Sequence, residues 1–422
     1  MKSIFKHALI VVLMLSGLSV FAQNRNLDNY RQPDKNGINV FEAPKDTLST
    51  FENVKVRIGG ASTLQYQALD HYNSGAVPLA GIGYNFNLAT ANLDLDVALA
   101  KGVRMHLRTY LSSRHHPEPY VKGGYFQIDN LDFINEGLLS DLMKYTTIKI
   151  GHMENNYGDA HFRRSDNAQT MYNPFVGNLI MDAFTTEVGA EVYYQRNGFI
   201  GMLGFANGKL NQSVEENASG MTGGASFLAK LGYDKQFNDD FRFRLTGSLY
   251  NTGYVPNLYL YKADRTGSRY YHVMQAESAT SDNFRSGRFS PSFKNSITAI
   301  MFNPFVKYKG LEFFGTVESA TGKSSGDTDT RNTMQYAGEV VYRFGEKENV
   351  YLGARYNTVD SEEVGGDVNI DRFQVGAGWF MTKNILLKAE YVNQTYDGDG
   401  FTGGLYDEGE FKGLMVEAAI SF

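Results

Sequence analysis

Val103-Arg104-Met105-His106-Leu107-Arg108-Thr109-Tyr110-Leu111 alternates in character from end to end. Successive side chains of an extended strand point to opposite faces. Val103, Met105, Leu107, Thr109 and Leu111 therefore share one face, and Arg104, His106, Arg108 and Tyr110 the other. A tilted strand needs about 9–11 residues to cross the hydrocarbon of a bilayer, and this stretch is long enough. Apolar on one face and cationic on the other, it suits lipid on one side and water on the other. The pattern recurs at 241–249, where Phe241, Phe243, Leu245, Gly247 and Leu249 oppose Arg242, Arg244, Thr246 and Ser248. It recurs again at 414–422, where Leu414, Val416, Ala418, Ile420 and Phe422 oppose Met415, Glu417, Ala419 and Ser421.

The connections between such stretches alternate in length. Short ones fall near 100–102, 196–198, 238–240, 309–310, 346–349 and 381–384. Their Asn197-Gly198 and Lys309-Gly310 pairs are tight-turn signals. Long polar ones fall near 70–80, 112–120, 154–183, 209–222, 254–292, 321–333, 360–368 and 397–409. Short periplasmic turns and long outer loops are the topology of a transmembrane barrel. The connection at 133–145 is longer and is expected to hold one or two helical turns. Counting predicts an all-β, antiparallel transmembrane β-barrel of about 16 strands, give or take two. A barrel of that size encloses an aqueous channel, whereas about eight strands would fill with side chains.

The chain ends agree. Lys2 and Lys6, the apolar run Ala8–Val20 and the small-residue site before Gln23 read as a signal peptide over 1–22. Residues 23–53 lack a repeated apolar pattern and are expected to be a poorly ordered periplasmic lead-in, with the barrel over 54–422. Removing the two lysines of 1–22 leaves 38 basic and 46 acidic residues, a net of −8, which argues against a nucleic-acid partner. There is no cysteine, so disulfides, thiolate metal sites and lipidation on Cys are excluded. The 44 Gly, 27 Tyr and 29 Phe against 9 Pro suit strands and interfacial aromatic girdles. The expected location is the bacterial outer membrane, in contact with its lipid and lipopolysaccharide.

Alternation also assigns the inner face. Basic lumen candidates are Lys55, Arg57, Arg104, Arg108, Lys149, Lys230, Arg242, Arg244, Lys307, Arg343, Arg355, Arg372 and Lys388. Acidic ones are Asp94, Asp96, Glu187, Glu191, Glu312, Glu318, Glu339, Glu390 and Glu417. Two readings follow: cationic rows that guide anions by charge focusing, or a mixed-sign wall whose opposite charges pair across strands.

The segment 154–183 is the third outer loop. It carries Asp159, His161, Phe162, Arg163, Arg164 and Asp166, and then Met171, Tyr172 and Phe175 as apolar anchors. A loop this long without regular structure is usually functional or disordered. Folded into the lumen, it would place Arg163, Arg164, His161, Asp159 and Asp166 at a constriction; the alternative is a surface loop packed on its neighbours. Together, the export signal, the strand count, this loop and terminal Phe422 resemble the trimeric porins of bacterial outer membranes. The arginine-bearing wall and Arg163-Arg164-Ser165-Asp166-Asn167 look most like the phosphate-selective porin O/P family, of a Bacteroidetes type. The resemblance implies passive diffusion of small hydrophilic solutes or anions, a homotrimer, and no cofactor. It also implies loop contributions from Arg163 and Arg164 and wall contributions from Arg104, Arg108, Arg242 and Arg244, beside Lys230 and Arg57. The acidic wall residues depart from a strongly cationic channel.

Loop 254–292, with Arg265, Arg269, Tyr270, Tyr271, His272, Arg285 and Arg288, reads as a surface loop. Alternatively it recruits anions, or lipopolysaccharide phosphates, at the outer mouth. His115-His116 lacks the i, i+4 spacing of a metal pair, and no metal site is expected. No nucleophile accompanies His106 or His161, so a barrel hydrolase is disfavoured and no catalytic residue is named. An adhesin or assembly scaffold is the remaining alternative.

Overall fold

A computed structural model describes residues 27–46, 48–111, 120–210, 214, 224–253, 255–262, 269–279 and 286–422. Its strands are β1 (Lys55–Tyr72), β2 (Asn85–Ala100), β3 (Val103–Leu111), β4 (Tyr120–Ile128), β5 (Thr146–Glu154), β6 (Thr186–Arg196), β7 (Phe199–Ala206) and β8 (Ser226–Gln236). There follow β9 (Phe241–Thr252), β10 (Ser296–Tyr308), β11 (Leu311–Lys323), β12 (Arg331–Phe344), β13 (Val350–Glu363), β14 (Gly366–Thr382), β15 (Ile385–Asp397) and β16 (Glu410–Ser421). Each strand pairs antiparallel with its sequence neighbours, and β1 pairs with β16, closing a 16-strand barrel. The seam is extended by Phe422, whose N–H and carbonyl exchange hydrogen bonds with Gly60 at 3.0 and 3.1 Å. Closure leaves no unpaired edge, which a bilayer requires.

The outward side chains form an apolar belt. Leu203, Phe205, Leu231, Leu245, Ile300 and Phe302 are all exposed on it, with Tyr308, Tyr342, Phe344 and Trp379 toward the end that carries the short turns. The connection between β4 and β5 holds a single helical turn, α1 (Ser140–Met143). One loop expectation is corrected. The stretch 360–368 is a tight hairpin, with Glu363 paired to Gly366. Gly366 takes φ +128°, a conformation glycine adopts freely, and the acidic residues around it sit on extended strand ends instead of a long loop. The loops near His115-His116 and most of 209–222 lie outside the described residues, as does the stretch assigned to the signal peptide.

The inner face follows the predicted parity, and its charges pair across strands. Arg108 meets its register partner Asp94 at 2.7 Å. Arg355 meets Glu339 at 2.6 Å, Lys388 meets Glu417 at 2.6 Å, and Lys307 meets Glu312 at 3.3 Å, each again a register pair. The mixed-sign wall is therefore the arrangement adopted.

Three segments fill much of the lumen. The third loop, 155–185, folds inward: Val176 and Gly177 donate backbone N–H to Glu390, Ile180 to Asn357 and Met181 to Gln335, all inner-wall side chains. Wall glycines admit it closely, since a Cβ at Gly376 would stand 3.0 Å from the Phe175 ring. The described parts of 253–295 also turn inward, which corrects the outer-mouth and surface readings. Tyr270 donates to Glu390 at 2.7 Å, Tyr261 to Glu318 at 2.7 Å, and Arg269 pairs with Glu417. Arg265 and Arg285 lie outside the described residues. Together the two loops and the wall build an apolar core at the long-loop end, with Val176, Ile180, Met181, Leu258, Leu260 and Val273 packed on Leu228, Ile297, Met301, Val359, Ile370 and Met415.

The third segment is 27–46, expected as a poorly ordered lead-in. It runs instead inside the barrel at the short-turn end, where Leu27, Asn29, Asp34, Asn39, Phe41 and Glu42 are buried. Much of its anchoring is polar, as Tyr30 donates to Asp96 at 3.0 Å and Asn39 to Glu312 at 2.7 Å, and its apolar anchors, Phe41 on Phe305 and Phe314 and Ile38 near Tyr172, are too scattered to show a period.

Candidate functional site

A cavity of about 170 Å3 remains between the β2–β6 wall, residues 30–43 and the third loop. By volume it holds on the order of ten waters. Five basic side chains line it: Arg31, Arg104, Arg108, Lys122 and Lys149. They face two carboxylates, Asp94 and Glu154, and His106, His161, Tyr125, Tyr172 and Tyr193 are among the other residues of the lining. Strand parity points Arg104, His106, Arg108 and Lys149 inward, and the two inserted segments supply the opposite side.

The cations differ in how they are compensated. Arg108 is held by Asp94 and by the Asn167 carbonyl. Arg104 donates to Gln127 at 2.7 Å and lies 3.5 Å from Asp96, with its Nε–H buried and without an acceptor. Lys122 pairs with Asp166 at 2.8 Å. Arg31 bonds to two carbonyls, of Gly37 and Phe162, and stacks 3.7 Å over the Tyr172 ring. Burial pushes its guanidinium down to about 10. Lys149 has the Tyr193 and Tyr125 rings at 4.8 and 5.6 Å as its cation partners and, among the described residues, no hydrogen bond or ion pair. A cation facing a cavity without a paired carboxylate is available to attract an anion.

The predicted constriction residues are brought inside the barrel but divided. His161 lines the cavity, accepting or donating between Glu154 at 2.7 Å and Asn156 at 3.0 Å. Asp166 reaches it through Lys122, in a turn where its φ is +93°. Arg163 and Arg164 point elsewhere. Arg163 pairs with Glu339 at 2.6 Å and also with Asn39, and Arg164 pairs with Asp182 at 2.6 Å. Of the wall set, Arg57 lies 3.3 Å from Asp96 and Arg242 2.6 Å from Asp234.

Asp159, Lys230 and Arg244 form a separate cluster with Glu42. Arg244 meets Asp159 at 2.7 Å and Glu42 at 2.8 Å; Lys230 meets Asp159 at 3.0 Å and Glu42 at 3.4 Å. Burial alone would raise the Glu42 carboxyl, but Arg244 and Lys230 hold it down at about 2. Asp159 is likewise held well below the usual carboxylate range against its burial, by the same two cations. A second cavity, about 340 Å3, lies beyond this cluster toward the β6–β7 turn, lined by Asn39, Glu42, Lys45, Arg196, Asn197, Arg242 and Arg244. Phe41 lines both cavities. Sequence reasoning missed Tyr30, Arg31, Phe41 and Glu42, because a segment held mostly by polar contacts shows no hydrophobic period.

No protein-family model matches the chain, and no curated protein is similar to it in sequence. The fold is that of porins. An anion-selective porin from Comamonas acidovorans superposes with a TM-score of 0.55 at 10% identity, over 88% of this chain and 100% of that one. The trimer form of OmpT, an outer membrane protein of Vibrio cholerae, gives 0.52 at 12%, over 88% and 100%. OmpF of Salmonella typhi gives 0.51 at 11%, over 87% and 97%. At these identities the likeness is one of fold.

Proposed function

We propose that the chain is an outer-membrane channel for small hydrophilic solutes, with a preference for anions. The observation that carries this reading is the cavity lined by five basic side chains and two carboxylates inside a porin-type barrel. The solute path runs along the β2–β6 side, past Lys149 and Arg104. The orientation follows the barrel rule of short periplasmic turns, so residues 27–46 face the periplasm and the long loops the lipopolysaccharide. The resemblance to the porin O/P family, and the anion selectivity named for the Comamonas protein, favour phosphate or carboxylate solutes. The trimer form named for the Vibrio protein favours a homotrimer here.

The filled lumen favours a second reading, a closed barrel serving as an adhesin or assembly scaffold. Planar-bilayer recording of the purified protein separates the two. Stepwise conductance is expected, with a reversal potential in a salt gradient on the anion side. Absence of steps removes the channel reading, and cation selectivity removes the anion preference.

A further inference from the structure

Residues 27–46 close on themselves. Asn29 N–H donates to Asp46 Oδ2 at 2.5 Å, and Asp46 N–H donates to Asn29 Oδ1 at 2.6 Å. Between these ends the segment crosses the mouth of the barrel. At one side Lys35 N–H donates to the Lys383 carbonyl at 2.9 Å, in the β14–β15 turn, and its ammonium reaches Asn349 in the β12–β13 turn. At the other side the Lys45 ammonium donates to the carbonyls of Asp129 and Thr146, at 2.9 and 2.6 Å, where β4 connects to β5. Strands β5 and β13 are diametrically opposite in a ring of sixteen. Midway, Phe41 is the partition shared by the two cavities.

The way this segment is held differs from the loops. Its buried apolar side chains are Leu27 and Phe41, with Ile38 half-buried, and most of its other contacts are hydrogen bonds, ion pairs and cation–π contacts such as Arg31 over Tyr172. Water replaces such contacts at small net cost, whereas pulling the loops out would expose the apolar core they form with the wall. Its one carboxylate set between two buried wall cations is Glu42, which meets Lys230 and Arg244.

We infer that residues 27–46 are a releasable lid, latched by Glu42 on Lys230 and Arg244. Seated, the lid separates the two cavities; released, it joins them and uncovers two lumen cations. As a gate the lid rests on the channel reading above.

The chain has no cysteine, so Lys35→Cys with Lys383→Cys introduces the only disulfide, at two backbones already hydrogen-bonded. Two preparations are compared with wild type: this staple, oxidised or reduced, and a chain lacking residues 27–46. The lid-less barrel is expected to show several-fold higher unitary conductance and stronger anion preference. The oxidised staple is expected to resist trypsin at Arg31 and Lys45, with cleavage restored on reduction. Equal conductance of wild-type and lid-less barrels overturns the gate while leaving the channel standing. No steps from a lid-less barrel, shown folded by heat-resistant migration on gels, overturns the channel and the gate with it. Equal trypsin cleavage of oxidised and reduced staples overturns release of the lid, whatever the conductance.

Discussion

Glu42→Gln tests the latch most directly. The carboxylate faces Arg244 and Lys230 from the wall, Asp159 from the third loop, and lies near Tyr193 and Asp234. Its pKa falls from an ordinary 4.5 to about 2, burial raising it and the two cations more than offsetting that. At 1.36 kcal/mol per unit, this shift is on the order of 3 kcal/mol between the charged and neutral forms. Asp159 stays behind on the same cations, and glutamine retains one hydrogen bond. The expected weakening of the seated lid is therefore about 2 kcal/mol, or roughly 30-fold in its release equilibrium. Trypsin cleavage at Arg31 and Lys35 measures it, under conditions where the rate follows the open population. A rate for Glu42→Gln within about twofold of wild type, when 1.4 kcal/mol is tenfold, refutes the latch.

The same carboxylate sets a pH dependence. Its pKa is depressed when seated, so its contribution is complete above about 4.5 and is lost as pH falls toward about 2. Open probability in bilayers should be flat from neutral pH down to about 5, and should then rise through the window from about 4.5 to 2. Glu42→Gln should abolish the upper part of that rise. A rise that persists unchanged in the variant would assign it to Asp159, which the same cations hold below the usual range.

Lys149→Gln removes a cavity cation that has no hydrogen bond or ion pair among the described residues and should move the reversal potential toward zero without altering barrel stability; an unchanged potential places the path elsewhere. Arg355→Leu strips Glu339 Oε2 of both its Arg355 donors and leaves the carboxylate buried beside Arg163 alone, at about 3–5 kcal/mol for a broken buried pair, read as a lower urea midpoint. Gly376→Val puts a branched side chain into the space of the Phe175 ring and should expose loop 155–185 to protease in the folded barrel, whereas continued protection would show that the ring has room to move.

Strand parity was readable because the two barrel faces have different solvents, so Arg104, Lys230, Arg244, Glu339 and Glu417 could be turned inward one by one. What fills the inside was not readable by that rule, since parity says where a side chain points and not what it meets. The third loop was legible through its apolar anchors, Met171, Tyr172 and Phe175, which needed a surface to pack on. Residues 27–46 have mostly polar anchors, and an irregular polar segment is indistinguishable by pattern from a solvated one.

One signal of a filled lumen was nevertheless present in the strands. A barrel strand with water inside should be apolar on one face only. Ala299-Ile300-Met301-Phe302 is apolar on both: Ala299 and Met301 are buried inward while Ile300 and Phe302 lie in the outer belt. Leu228 beside Phe227, and Met415 beside Leu414 and Val416, repeat this on β8 and β16. Strands covered on both faces read as continuous apolar runs, and such runs occur at both ends of the barrel: Phe305, Phe314, Val341, Tyr351, Phe380 and Leu386 are buried inward near the short turns. The polar inner residues Lys230, Arg244, Glu312 and Glu339 lie deeper, toward the short turns. Toward the short turns the inner wall therefore offers both charge and apolar surface to residues 27–46. Segment 27–46 answers both: Glu42 meets Lys230 and Arg244 beside Asp159, while Phe41 packs on Phe305 and Phe314 and Ile38 against the cluster of Tyr172 and Phe380. Because those contacts are scattered along an irregular segment, 27–46 carries no hydrophobic period.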